Sequence, residues 1–114
     1  MKPNWTPKLK DVLKHTTKEI TLVSSRTGKE YKVDAIEKIV LLSNGFVENT
    51  TDGKFKYSIV DPDAKLDYEI KVANEVPVKF GTKLVFKNLR GGLIPNSNYG
   101  WYAADSVELY VKNV

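Results

Sequence analysis

The apolar positions of this chain recur mostly in steps of two. From Lys18 to Ser25, Ile20 and Leu22 share one face, Arg26-Thr27-Gly28-Lys29 reads as a turn, and Tyr31, Val33 and Ala35 alternate on the return limb. That pattern predicts a first β-hairpin. The next segment is ambiguous. Asp34-Ala35-Ile36-Glu37 has capping-box spacing, and Ile36, Ile39 and Val40 would share a helical face. Yet Ile39-Val40-Leu41-Leu42, ending at Ser43-Asn44-Gly45, is equally a buried strand, and its β-branched content favours the strand.

The middle of the chain is plainer. Phe55, Tyr57 and Ile59 alternate with Lys54, Lys56 and Ser58 after the turn pair Asp52-Gly53. Asp61-Pro62-Asp63 turns the chain, and Leu66, Tyr68, Ile70 and Val72 alternate with Asp67, Glu69 and Lys71. This is a hairpin with one wet face. Leu84 and Phe86 point inward from Lys83–Asn88, Gly91-Gly92 breaks or bulges the chain, and a polar loop Pro95–Asn98 leads to Tyr99–Ala104. Val107, Leu109 and Val111 complete a last strand. Upstream, Thr6-Pro7 reads as an N-cap with proline at the first helical position, opening a short helix through about His15 that carries Leu9, Val12 and Leu13 on one face. The expectation is an all-β domain, a small barrel over residues 18–114, preceded by a basic arm over residues 1–17 with one short helix.

Composition narrows the chemistry. The 114 residues suit one domain, with no cysteine and a single histidine, His15. Disulfide frameworks, thiol nucleophiles and cysteine-based zinc sites are therefore excluded. Asp61 and Asp63 do not begin a calcium loop, because Leu66 and Val72 stand where glycine and glutamate belong. No phosphate loop, dinucleotide fingerprint or serine elbow is present. His15, among lysines, reads as a surface or helix-end residue rather than a general base. A non-enzymatic protein without cofactor or metal is expected. The first residues hold no apolar run of the signal-peptide type and no stretch is long enough to cross a membrane, so a cytoplasmic protein is expected.

The formal charge of +4 sits in one place. Of 18 basic and 14 acidic residues, five lysines and one acid fall in residues 1–18, which leaves 13 of each in the body. Within the body, Asp61, Asp63, Asp67 and Glu69 cluster. Lys79, Lys83, Lys87 and Arg90 run without an acid between Glu75 and Asp105. Such a stripe reads either as a solvated face or as a track for anions.

Small barrels that bind single strands combine a basic track with aromatic faces on which bases stack. Alternation puts Phe55, Tyr57 and Tyr68 in the core. It places Trp101 and Tyr102 on opposite faces, so one of them looks outward, and it exposes Tyr110. Trp5 stands in the basic arm. The candidate nucleic-acid-binding set is therefore Trp5, Lys8, Lys10, Lys54, Lys56, Lys83, Lys87, Arg90, Trp101, Tyr102 and Tyr110.

Four stretches carry a resemblance. These are Lys54-Phe55-Lys56-Tyr57-Ser58, Asp67–Val72, Lys83-Leu84-Val85-Phe86-Lys87-Asn88 and Trp101-Tyr102-Ala103-Ala104-Asp105-Ser106-Val107. Together they resemble small accessory proteins of Gram-positive conjugative elements that are similar to OB-type single-strand-binding proteins. The resemblance implies an OB-like barrel and single-stranded DNA or RNA as partner. Leu89 stands where that pattern has proline and Ser106 where it has a second acid. Only Ala73–Thr82, with Pro77 inside it, is available for the helix an OB barrel carries between its third and fourth strands. An SH3-like or PUA-like barrel stays open, the latter as an RNA-binding regulator, as does an adaptor whose partner is a protein. The oligomeric state is not legible.

Overall fold

The computed structural model describes residues 12–13, 15–24 and 26–110. Seven strands follow one another: β1 (Lys18–Val23), β2 (Glu30–Asn49), β3 (Phe55–Asp61), β4 (Leu66–Val72), β5 (Phe80–Leu93), β6 (Gly100–Ala103) and β7 (Ser106–Leu109). Their order in the sheet is β1-β2-β3-β4-β6-β5-β7, and β2 also pairs with β5. Strands β2, β3, β4, β6 and β5 thus close into a five-stranded barrel. The β4–β6 pair is parallel and the others are antiparallel. The expected helix before His15 falls largely on residues outside those described, as do Trp5, Lys8 and Lys10.

Strand β2 is where the sequence and the fold differ most. Asp34–Leu42 is strand, as its β-branched content suggested, but Ser43-Asn44-Gly45 does not end it. The strand runs for 20 residues and serves three partners in turn: β1, β5 and β3. Ser43-Asn44-Gly45 is instead a bulge, where the register with both neighbours shifts. The Gly45 amide donates to Ser43 Oγ at 3.0 Å and the Phe46 amide to Asn44 Oδ1 at 3.2 Å. Gly45 has φ +98°, and a Cβ there would meet the Phe80 backbone nitrogen at 3.3 Å. Glycine is the residue that suits both constraints.

Inside the barrel, β3 and β4 contribute Tyr57, Ile59, Leu66, Tyr68, Ile70 and Val72, while β5 contributes Leu84, Phe86 and Leu89. Apart from Leu89 this is the alternation read from the sequence; Leu89 departs from the parity of Leu84 and Phe86, just after Asn88 with φ +53°. Tyr57 meets Phe86 edge-on, with centroids 6.2 Å apart. The tyrosine hydroxyl accepts from the Val76 amide at 2.7 Å and so fastens the β4–β5 connector to the core. Burial raises the Tyr57 pKa, against the lowering effect of that amide, so the phenol stays neutral. Asn74 adds a second fastening. It donates from Nδ2 to the Val107 carbonyl at 2.7 Å and accepts from the Val107 amide at 3.0 Å, as a neighbouring strand would. Residues 73–79 are irregular, which Pro77 favours.

At the far end of the β3–β4 hairpin, Asp61 is 2% exposed. Its Oδ1 accepts from the amides of Asp63 at 3.1 Å and Ala64 at 3.2 Å, closing the turn that Asp61-Pro62-Asp63 predicted. Its Oδ2 lies 2.5 Å from Nε2 of His15. His15 is therefore a half-buried partner of a buried carboxylate rather than a free surface group. Val12 and Leu13, just before it, lie in the core. The start of the described chain is stitched into the barrel.

Candidate nucleic-acid interface

Two loops rise on one side of the barrel. Residues 50–54 join β3 to β2, and Thr50 organises them: its amide donates to the Lys54 carbonyl at 2.9 Å, and its Oγ1 accepts from the Lys54 amide at 3.1 Å. Gly53, with φ +78°, makes the turn. Residues 94–99 join β5 to β6, closed by the Ile94 amide on the Tyr99 carbonyl at 3.0 Å and the Tyr99 amide on Ser97 Oγ at 3.0 Å. Between the loops lies an open groove of about 900 Å³. Its lining includes Lys54, Lys56, Lys71, Tyr99 and Trp101.

Trp101 is the outward member of its pair. Its side chain is 49% exposed, whereas Tyr102 is 6% exposed and packs against Tyr68 with centroids 4.9 Å apart. Tyr102 therefore leaves the candidate set as a core residue. Burial pushes its pKa up to about 12, and burial, with the nearby Asp61 charge, pushes Tyr68 well above the ordinary range. Gly91 and Gly92 do not break the chain, because β5 runs through them to Leu93. They make room for the aromatic pair instead. A Cβ on Gly91 would meet the Trp101 carbonyl oxygen at 2.5 Å and Tyr102 Cδ1 at 2.9 Å. One on Gly92 would lie 2.8–2.9 Å from Nε1, Cε2 and Cζ2 of Trp101. The indole is seated on bare backbone, which orders it while leaving much of its surface to the groove.

The basic residues divide. Lys54 and Lys56 line the groove and make no ion pair among the described residues. Lys83, Lys87 and Arg90 do not line it, and the acids of the β6–β7 junction and of β7 offset the last two. Lys87 Nζ lies 3.2 Å from Glu108, and Arg90 Nη1 lies 2.7 Å from Asp105 and 3.0 Å from the Asn88 carbonyl. Partial burial opposes the charge on Asp105, but hydrogen bonds from Asn88 and Arg90 outweigh it and lower the pKa. Two of the four members of the acid-free stripe, Lys87 and Arg90, are thus neutralised in space. Lys83 Nζ sits 5.8 Å from the Tyr110 ring centroid, and Tyr110 is exposed as its parity implied. Leu109, expected inward, is exposed near the end of β7.

The sequence reading missed Lys71 and Asp52. Lys71 Nζ lies 2.6 Å from Asp52 Oδ2, so the ion pair spans from β4 to the 50–54 loop. Hydrogen bonds from Lys71 and from Thr50 lower the Asp52 pKa to about 2. A depressed carboxylate stabilises the fold above its unfolded pKa near 3.8 and loses that contribution as pH falls toward 2. A carbon-detected NMR titration is expected to place the Asp52 midpoint near 2, and Lys71→Ala to move it back toward the ordinary range. The hairpin register held a clue, since Lys56 and Lys71 are directly opposite on β3 and β4.

No family model, curated protein or solved structure matches this chain. Among the described residues no helix is long and apolar enough to cross a membrane, and no cluster of potential metal ligands occurs.

Proposed function

We propose that the protein binds single-stranded nucleic acid, with little sequence preference, in the groove between the 50–54 and 94–99 loops. The observation that carries this reading is the seating of Trp101 on Gly92, with its exposed surface beside Lys54 and Lys56. A base stacks on an indole whatever its identity, and an indole already ordered loses little freedom on binding. Tyr99 offers a second aromatic surface along the groove.

The connectivity supports an OB-like assignment of the barrel. Three successive antiparallel strands, β2 to β4, are followed by β5 returning to β2 and by β6 entering between β4 and β5. That connectivity matches an OB-fold, and in OB-folds the face of the second and third strands and the loops 1–2 and 4–5 bind the ligand. Counting from β2, those loops are residues 50–54 and 94–99. A role as accessory protein in DNA processing fits this reading.

The test is fluorescence anisotropy with labelled oligo-dT, oligo-U and a structured RNA across a salt series. Glu48, Asp52 and Glu69 balance Lys54, Lys56 and Lys71 around the groove, so log K is expected to fall with log salt at a slope of only about −1 to −2, the value for one to three phosphate contacts. No binding at low salt would defeat the proposal, and preference for the structured RNA would favour a PUA-like regulator. Phe46 and Phe80, exposed where Gly45 meets the Phe80 backbone, favour the adaptor as second reading. A partner retained in a pull-down after nuclease treatment, and lost with Phe80→Ser, would support it.

A further inference from the structure

Lys56 and Lys71 stand directly opposite each other across β3 and β4, on the outer face that forms the groove. Like charges in that position repel, and nothing in the core requires them, because both side chains point away from it. The Asp52 carboxylate offsets the repulsion by reaching Lys71 from the loop. Thr50 helps to hold it, since its hydroxyl also hydrogen-bonds Asp52. A carboxylate thus occupies the contact on Lys71 that an external anion would take, while Lys56, which faces Glu48 across β2 and β3, makes no ion pair among the described residues. The contact is exposed on both sides, with about a third of the Lys71 side chain and half of the Asp52 side chain open to solvent. Rotation of the Asp52 side chain would be enough to release it.

We propose that Lys56 and Lys71 form a phosphate subsite of the groove, and that Asp52 is its built-in competitor, displaced when a phosphodiester binds. The site pairs a point charge from each strand with the Trp101 stacking surface on the neighbouring strand β6, at the register where Lys71 meets Ala103. A phosphate held there would place an attached base toward the indole. The ligand's being a nucleic acid rests on the function proposed above; the anion site itself does not.

Asp52 sets both affinity and salt response. While it holds Lys71, a phosphate gains only the difference between two ionic contacts. Removing its charge returns a full contact. Exposed ion pairs contribute only modestly, so the gain is expected to be a few-fold in binding.

The experiment titrates inorganic phosphate into the 15N-labelled full chain and its Asp52→Asn, Lys71→Ala and doubly substituted forms, following backbone amides. Saturable shifts at Lys56, Lys71 and residues 52–54 are expected in the native protein, about 3- to 5-fold tighter in Asp52→Asn. They are expected to be lost at Lys71→Ala in either background. Absence of saturable shifts there, equal affinity in native and Asp52→Asn proteins, or a gain that survives Lys71→Ala would each overturn the proposal. The same four proteins are then titrated with oligo-dT. Asp52→Asn is expected to tighten binding by a similar factor and to steepen the salt slope by about 0.7, one single-strand phosphate contact. Oligonucleotide binding that is blind to Asp52 and Lys71 would leave the function standing without this subsite. Phosphate binding with no oligonucleotide binding would leave the anion site standing without that function.

Discussion

Replacing Trp101 with alanine is expected to weaken oligo-dT binding tenfold or more while leaving the thermal melt nearly unchanged. Stacking of one base on an aromatic side chain is worth about 1–3 kcal/mol by alanine substitution. The indole should supply much of that here, because the groove has little net charge to contribute. The fold has less to lose, since Trp101 faces outward and the core aromatic at this position is its neighbour Tyr102. Anisotropy and a thermal scan on the same preparation separate the two effects. Binding that survives Trp101→Ala within twofold would remove the stacking surface from the mechanism. Tyr102→Ala should show the reverse pattern, a large loss of stability with binding lost only through unfolding.

The second large effect is expected from Leu13→Ala. Leu13 is 0% exposed and belongs to the same cluster as Phe86 and Ile59. Deleting a buried leucine side chain costs roughly 3–5 kcal/mol, the transfer energy plus the cavity left behind. In a domain of this size that lowers Tm by about 10 °C or more. The measurement is a denaturant or thermal melt. An unchanged midpoint would mean that the segment before β1 contributes nothing to the barrel. This bears on how the N-terminal charge should be tested. Truncating the chain before β1 would remove four lysines, but also Val12, Leu13 and the His15 partner of Asp61. Loss of binding would then report unfolding. Exchanging Lys8 and Lys10 for glutamine, with Leu13 kept, asks about charge alone.

The two hairpins β1–β2 and β3–β4 were legible because period-two alternation over six or seven residues sets which side chains share a face; in β3–β4 that face is buried, whereas in β1–β2 Tyr31 stays exposed. The Asp61 turn was legible because its residue types favour one local geometry wherever they occur. The length of β2 was not. Ser43-Asn44-Gly45 is written like a loop, and its role as a bulge depends on β5 and β3 lying on either side of it.

Local chemistry along the chain determined the class of fold, the wet and dry faces of the β3–β4 hairpin and the outward position of Tyr110. It narrowed the stacking residue to Trp101 or Tyr102 and could go no further, since parity alone does not say which face is inside. Closure of the barrel made that choice, by setting Tyr102 against Tyr68 and Trp101 on Gly92. Closure also neutralised half of the basic stripe. Lys87 and Arg90 have no acid near them in sequence, but Glu108 and Asp105 are brought beside them when β6 and β7 pair with β5. Charge acts through distance in space, and a β fold with long-range pairing makes that distance nearly independent of separation along the chain.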